Sequence, residues 1–207
     1  MEYPKFVLNE QIGINEEEDG SNNYRYSLNI PLDKGNNKKY TVIMMNPSTA
    51  NSSKSDLTID RVIRFIEQTD SNASEISIVN LYAERETYSE YLELKSNTHR
   101  KNIQTIKNAV SNSDTVILGW GKPTNGTQKR LHEIRYHHIA LEVLQVCESL
   151  NVTPKIIESL REGLYPRHPG RISYSAKLVD LDVVNQIDIL KKRIQKNTVK
   201  FQPAPNK

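Results

Sequence analysis

The sequence predicts an α/β fold: a three-layer sandwich with a four-stranded, mainly parallel central sheet and an N-terminal β-hairpin. Two observations predict it. The sequence contains several short apolar runs, and between them lie stretches whose apolar residues recur at helical spacing. This alternation is typical of a parallel sheet covered by helices. The chain has 207 residues, which is enough for one domain with a sizeable core. We expect that domain over residues 24–195, between a loosely ordered segment 1–23 and a disordered tail 196–207.

The hairpin is predicted from two polar loops and the strand between them. Residues 15–23 and 33–39 are rich in Asn, Gly and charged side chains, which indicates loops. Residues 24–32 alternate well enough to form a strand. We expect this strand to pair with residues 40–45 across the second loop.

The remaining elements follow in order along the chain. Four short apolar runs predict the strands of the sheet, namely 41–45, 75–82, 114–121 and 154–159. Apolar side chains at helical spacing predict helices at 57–69 and 97–110, and one long helix or two shorter ones over 129–150. A further helix is expected over 181–195. Asp56 immediately precedes the first of these helices, where a carboxylate can accept from free backbone N–H groups.

The composition and the missing motifs exclude several classes of protein. Cys147 is the single cysteine, which excludes a disulfide within the chain and a four-cysteine zinc or iron–sulfur site. The sequence lacks the motifs of phosphate-binding loops, dinucleotide-binding folds and serine-hydrolase elbows, so NTPase, kinase, dehydrogenase and serine-hydrolase functions are disfavoured. The net charge of +3 permits binding to nucleic acid but does not by itself argue for it.

No membrane anchor, metal or cofactor is predicted. No stretch approaches the length of about 18 apolar residues that indicates a membrane helix, and the N-terminus lacks the pattern of a signal peptide, so we expect a cytoplasmic protein. His132, His137 and His138 fall within one predicted helix. Because no carboxylate or cysteine stands at ligand spacing beside them, metal binding there is disfavoured.

Four strand ends carry polar, aromatic or basic side chains. Ligands of parallel sheets bind beyond the carboxyl ends of the strands. Here those ends are Asn46-Pro47-Ser48, Asn80-Leu81-Tyr82, Trp120-Gly121-Lys122 and the loop 158–171. Asn46 offers both a donor and an acceptor, and Pro47 restricts the backbone of Asn46 to extended conformations. Two interpretations stay open: Asn46 holds a water or reads a base, or it caps a turn.

Asn80 and Trp120 also have two interpretations each. The Asn80 amide reads a nucleobase, or it satisfies neighbouring backbone groups. Trp120 lies against a ligand, which its neighbours Gly119 and Gly121 would allow to approach closely, or it packs in the core.

The loop after the last predicted strand is basic and shaped by proline and glycine. Arg161, Arg167, His168 and Arg171 lie within eleven residues, together with the aromatic Tyr165. A rigid basic loop at the ligand-binding edge fits contact with phosphate groups. His168 is the best candidate in the chain for donating a hydrogen bond to a developing anion. The alternative is a solvated basic loop.

Five motifs in this order resemble a known family. They are Asn46-Pro47-Ser48-Thr49-Ala50, Asp56-x-Thr58-x-x-Arg61, Asn80-Leu81-Tyr82-Ala83, Trp120-Gly121, and Gly163 through Arg167-His168-Pro169. Together they look like a bacterial and phage family catalogued as a domain of unknown function, over roughly residues 24–175. That family in turn resembles, more distantly, the uracil-DNA glycosylase superfamily, whose fold is a four-stranded parallel sheet between helices.

The resemblance implies roles for particular residues. Asn46 stands where the superfamily positions the attacking water, and His168 starts the match to the loop that enters the minor groove and stabilises the leaving base. Asp56 is either an alternative water activator or the N-cap of the first predicted helix. The implied base-binding residues are Asn80, Tyr82, Trp120 and Ser48. The implied phosphate-binding residues are Arg61, Lys122, Arg161, Arg167 and Arg171.

Two departures from the superfamily pattern bear on the substrate. Met44-Met45 replaces the glycine usually found before the water-positioning residue, and Gly170-Arg171 replaces a serine and an apolar wedge. Met45 therefore either closes the pocket or reshapes it for another base. These departures imply a different base, bulky or modified, or no glycosylase activity at all.

The sequence therefore predicts a DNA glycosylase-like hydrolase that needs no cofactor and acts on a flipped, modified or non-standard base in duplex or single-stranded DNA. Its role would be repair or defence against foreign DNA. Two alternatives stay open. One is a non-catalytic nucleotide- or nucleic-acid-binding module of the same fold, and the other is a hydrolase or transferase acting on free nucleosides or nucleotides.

Overall fold

The computed structural model describes residues 1–20, 22–33, 37–86, 96–123 and 129–199. Its strands are β1 (Gly13–Asp19), β2 (Asn22–Pro31), β3 (Lys38–Met44), β4 (Ala73–Asn80), β5 (Thr115–Leu118), β6 (Lys155–Ile157) and β7 (Leu178–Asp180). Its helices are α1 (Leu57–Thr69), α2 (Ser96–Ser111), α3 (Lys129–Ser149) and α4 (Val183–Val199), with 3₁₀ turns at Asn9–Gln11 and Pro169–Arg171.

The α/β class and the four predicted strands of the central sheet are confirmed. In the described part of the chain the sheet has seven strands in the order β1-β2-β4-β3-β5-β6-β7. The four consecutive strands β4, β3, β5 and β6 are parallel, and they are the four predicted from the apolar runs. The expected count of four strands for the whole sheet is wrong, because β1, β2 and β7 extend it with antiparallel pairing at both edges.

The predicted pairing of residues 24–32 with residues 40–45 is also wrong. β3 has a parallel partner on each side, β4 and β5, so no edge of β3 is left for a hairpin. β2 instead lies antiparallel between β1 and β4. The hairpin that does form joins β2 to β1, whose charged side chains are mostly exposed, as is common in edge strands.

The two ends of the chain extend the described domain. In segment 1–23, for which the sequence predicts loose order, Tyr3, Val7 and Ile12 are buried. At the other end α4 continues to Val199, four residues beyond the predicted end of the helix at 195. Residues 200–207 of the predicted tail lie outside the described residues.

Helices cover both faces of the sheet. Buried side chains of α1, among them Ile59 and Ile63, share one core cluster with Val42 of β3. On the other face Ile43 packs in a second cluster with side chains of α2, α3 and α4, such as Val143. The chain thus leaves β3 over one face and leaves β5 over the other. The crevice between their carboxyl ends is the place where such sheets bind ligands.

No helix in the part of the chain that the structure describes is both long enough and apolar enough to cross a membrane.

Candidate functional site

A cleft of about 540 Å³ opens at the carboxyl end of β3. Its walls come from Met44 at the end of β3, residues 46–49 after it, residues 56–58 at the start of α1, residues 85–86 after β4, and His168 of the last loop. The cleft therefore brings together two of the four strand ends that the sequence singles out, Asn46-Pro47-Ser48 and the loop 158–171.

Asn46 is held in one orientation. Its Nδ2 donates to the carbonyl oxygen of Glu86 over 2.6 Å. Because a carbonyl only accepts, this contact fixes which end of the amide is the nitrogen. Oδ1 is therefore the end of the amide that can accept a hydrogen bond from a water or a ligand in the cleft.

His168 complements Asn46 as a donor. Its Nδ1 accepts from the backbone N–H of Gly170 over 3.1 Å, so the proton of the neutral ring is on Nε2. His168 is exposed at the surface, and partial desolvation by the surrounding protein lowers its pKa; Asp56 opposes this shift and Arg171 adds to it. At neutral pH the imidazole is thus neutral and offers an Nε2–H donor.

The two glycines of Gly119-Trp120-Gly121 make room for the His168 loop. A Cβ added at Gly119 would lie 3.1 Å from Cδ of Pro169. One added at Gly121 would lie 3.0 Å from Cβ of His168, and Gly121 has a φ of +74°. The glycines therefore allow the last loop to lie directly against the end of β5.

Gly121→Ala is expected to lower the free energy of unfolding by roughly 2–4 kcal/mol, because left-handed strain and overpacking add. Chemical denaturation measures this change. Gly163→Ala is the matched control, since Gly163 has a φ of +64° and open space around its Cα. It should lose only the strain, roughly 1–2 kcal/mol. Equal losses of unfolding free energy in both variants would show that overpacking against His168 contributes nothing to the loss at Gly121.

Asp56 is the N-cap of α1, as one of its two interpretations predicts. Oδ1 accepts from the backbone N–H groups of Thr58 at 2.8 Å and Ile59 at 3.0 Å. Oδ2 accepts from Ala50 N at 3.2 Å. The carboxylate thus ties the loop after β3 to the start of α1, and it also lines the cleft.

Arg61 fastens α1 to the last loop. Its Nη1 donates to the carbonyl oxygen of Gly170 over 2.9 Å, and its guanidinium lies 5.9 Å from the ring centroid of Tyr174. The motif Asp56-x-Thr58-x-x-Arg61 therefore connects the two loops that carry Asn46 and His168. The predicted phosphate contact of Arg61 stays a prediction.

Three of the four predicted base-binding residues do not line the cleft. Asn80, Tyr82 and Trp120 are at most 3% exposed. Trp120 packs in the core cluster that contains side chains of α3, which is the packing interpretation of this residue. Asn80 is fully buried, and neither amide atom has a hydrogen-bond partner among the described residues. Ser48 does line the cleft.

The two methionines before Asn46 point to opposite faces of the sheet. Met44 belongs to the cluster under α1 and lines the cleft. Met45 packs in the cluster on the other face. Met45 therefore does not close the cleft, although it stands where a glycine was expected.

The predicted phosphate-binding residues near the last loop differ in their partners. Lys122 pairs with Glu162 at 2.7 Å, and Arg167 pairs with Glu158 at 3.4 Å. Arg161 and Arg171 are exposed. Two of the five predicted phosphate-binding side chains thus meet carboxylates at the surface.

Sequence reasoning missed two arginines and a carbonyl at the site. Arg25 and Arg85 donate to backbone carbonyls of the loop after β3, and the Glu86 carbonyl holds Asn46. The available signal was Arg25 itself, a charged residue in a strand whose neighbours are otherwise apolar or uncharged. Backbone groups such as the Glu86 carbonyl carry no side-chain signal.

His137 is buried in a network behind the site. It is 0% exposed, and its Nε2 lies 3.4 Å from the Tyr165 hydroxyl. Burial lowers the pKa of His137 to about 4, although Glu133 opposes the shift. The structure describes no side chain for His132, and within the described residues no group of metal-binding side chains is found.

The stability of the protein should therefore fall at acidic pH. The unfolded chain binds a proton at His137 below about pH 6.5, whereas the folded protein resists it until about pH 4, so this group alone costs roughly 2 kcal/mol between pH 8 and pH 5. The measurement is urea denaturation at both pH values. His137→Gln should reduce the loss by that amount, and His138→Gln, on the exposed side of α3, should leave it unchanged. If His137→Gln loses as much stability between pH 8 and pH 5 as the wild type, His137 is not the group responsible.

Comparison with known proteins gives a family but no activity. No curated protein and no solved structure matches the chain significantly. Residues 25–170, which contain every side chain of the cleft, match a family described as a protein of unknown function. That match covers more than half of the 207 residues. The chain therefore belongs to the family described as "Protein of unknown function (DUF1643)".

Proposed function

We propose that the protein is a DNA glycosylase-like hydrolase that releases a flipped, modified or non-standard base from DNA. The observation that carries the proposal is the cleft in which Asn46 and His168 meet. One wall offers the amide oxygen of Asn46 as an acceptor, and another offers the Nε2–H of His168 as a donor. Hydrolysis of an N-glycosidic bond needs one group of each kind.

The chemistry assigns a role to each group. The bond between C1′ and the base nitrogen breaks, and the electron pair leaves with the base. His168 stabilises the resulting anion, an effect worth about 3–4 kcal/mol for a well-placed donor. Asn46 is too weak a base to deprotonate water before attack, so it holds a water for late addition to C1′. The water's oxygen forms the new bond to C1′, and the proton that this water loses ends on the departing base.

The size of the cleft supports a flipped nucleotide. A base inside a duplex hides its C1′, so the nucleotide must leave the stack at a cost of a few kcal/mol. The volume of about 540 Å³ lies within the range of small-ligand sites. The parallel strands and the motifs Asn46-Pro47 and His168-Pro169 also agree with the resemblance to the uracil-DNA glycosylase superfamily.

One observation favours a second candidate, a hydrolase or transferase acting on free nucleosides or nucleotides. Lys122 and Arg167 pair with Glu162 and Glu158 beside the cleft. These pairs interrupt the basic track that a DNA backbone would follow. Affinity for DNA that falls steeply with salt would favour the first candidate, because released counterions then contribute to binding.

The test is a survey of bases in DNA. Purified protein is incubated with single-stranded and duplex oligonucleotides, each carrying one uracil or one phage-type modified pyrimidine. Alkali then cleaves the strand wherever a base has been lost. We expect cleavage at one class of test base. A parallel incubation with the corresponding free nucleosides, followed by chromatography, tests the second candidate.

The outcomes separate the candidates. Strand cleavage in the DNA reactions supports the glycosylase, and release of base from nucleosides alone supports the second candidate. Binding of DNA without release in any reaction would leave a non-catalytic module and contradict the proposal. His138→Ala serves as the control variant, because His138 is exposed on α3 and does not line the cleft.

A further inference from the structure

A buried positive charge lies beneath the loop that carries Asn46. Arg25 is 1% exposed, and none of the ion pairs formed by the described residues includes it. Its Nε is buried without a hydrogen-bond partner among them. Burial, and then the neighbouring Arg85, lower the pKa of Arg25 to about 10, with Asp56 opposing the shift. Such a charge is costly to the fold.

The fold places a second arginine beside the first. Residues 83–85 continue beyond β4 and pair with β2 through an antiparallel bridge between Tyr24 and Glu84. Arg25 N donates to Ala83 O and Arg85 N donates to Asn23 O, each over 2.8 Å. In this register Arg25 and Arg85 are diagonal neighbours on one face of the pair. The two positive charges therefore repel each other.

Both guanidinium groups act on the same loop. Nη1 of Arg25 donates to Ala50 O over 2.7 Å. Nη1 of Arg85 donates to Ser48 O over 2.7 Å and approaches Ala50 O at 3.4 Å. These bonds draw the loop after β3 onto the segment after β4.

The same two segments are joined by Asn46. Its Nδ2 donates to the carbonyl oxygen of Glu86, the residue that follows Arg85. The orientation of the Asn46 amide thus depends on where the segment after β4 lies relative to the loop. Arg85 and Arg25 fix the relative position of the two segments through their hydrogen bonds to the Ser48 and Ala50 carbonyls.

We propose that Arg85 and Arg25 are positioning residues that hold the Ser48 and Ala50 carbonyls and so fix the direction in which Asn46 presents Oδ1 to the cleft. An apolar side chain at position 25 would avoid the cost of a buried charge, so the stability of the fold does not account for the arginine. Arg85 joins the Ser48 carbonyl to the Glu16 carboxylate through two nitrogens, Nη1 and Nη2, and a lysine with one nitrogen cannot reproduce that bridge.

The first test observes Asn46 directly and needs no activity. Arg85→Gln is the main variant, because the Arg85 side chain is 21% exposed and its loss leaves no large cavity. The side-chain amide resonances of Asn46, assigned by their absence in Asn46→Ala, are recorded by NMR. We expect them to shift toward the values of a free amide in Arg85→Gln and to exchange with solvent on the order of tenfold faster. Arg85→Lys should give an intermediate result.

Arg64→Gln is the matched control. Arg64, like Arg85 with Glu16, forms an ion pair at the surface, with Asp60 of α1 at 2.9 Å, and no hydrogen bond or ion pair among the described residues joins it to the loop after β3. It should leave the Asn46 resonances unchanged. Unaltered Asn46 resonances and exchange in Arg85→Gln, or the same change in Arg64→Gln, would overturn the inference.

The second test rests on the proposed function and measures kinetics on a DNA whose base the wild-type protein releases. Arg85→Gln should lower kcat on the order of 10²-fold through misplacement of Asn46, with KM little changed. A purely structural role would lower the melting temperature and leave kcat of the folded protein intact. If the wild-type protein releases no base, the proposed function fails, and the NMR comparison still decides the inference.

Discussion

Replacing His168 by alanine is expected to slow base release by on the order of 10²–10³-fold, the usual loss when one donor to a developing anion is removed. The Nε2–H is the donor, since Nδ1 is occupied by the N–H of Gly170. The measurement is single-turnover release from the preferred oligonucleotide. Urea denaturation of the same preparation checks that the variant folds.

Two further variants make this result specific. His168→Gln retains an N–H donor on a side chain of similar reach and should recover part of the rate. His138→Ala removes an exposed histidine outside the cleft and should release base at the wild-type rate. A folded His168→Ala protein that is as fast as the wild type would remove His168 from the mechanism.

Asn46→Ala is the second large effect. If the proposed function holds, base release should slow on the order of 10²-fold, because the attacking water loses the acceptor that positions it. The melting temperature should change little, since Asn46 is only half-buried and its one short bond is to the Glu86 carbonyl. Single-turnover kinetics and thermal unfolding measure the two quantities.

Asn46→Asp distinguishes the acceptor from the donor. The carboxylate keeps an acceptor oxygen but places a second oxygen where Nδ2 now donates to Glu86 over 2.6 Å. It should therefore be more active than Asn46→Ala and less active than the wild type. Equal rates for Asn46→Ala and the wild type would mean that Asn46 is a turn residue only.

The helices and the parallel core could be predicted because their patterns are local. The bounds predicted for α1 agree with the structure, since Ile59, Val62, Ile63 and Ile66 at helical spacing are its buried face. Asp56 caps the same helix for a reason that is visible in the sequence. Such local patterns predict the structure correctly because the apolar face they define is the face that packs against the sheet.

Strand β1 and the partner of β2 could not be predicted in this way. Gly13–Asp19 is mostly acidic and has no apolar alternation, so its strand exists only because β2 offers an edge for pairing. The choice of β4 over β3 as the partner of β2 depends on β3 being occupied on both sides. Both facts concern sheet order, which a linear pattern does not encode.

At the candidate site, position was predictable but side-chain direction was not. Asn46 and His168 line the cleft as the strand-end argument expects. Asn80 and Trp120 stand at the ends of neighbouring strands, yet their side chains are buried. A side chain alternates between faces with each residue of a strand, so a place at the edge does not decide what it faces.

Met44, one of the residues that line the cleft, is an adaptable side chain. The part of Met44 that faces the cleft belongs to an unbranched, polarisable side chain, a type that fits surfaces of different outline. A wall of this kind discriminates poorly by shape. Selection among bases would then fall to the polar groups on the other walls, and bases that carry different substituents on one ring could be accepted by the same protein.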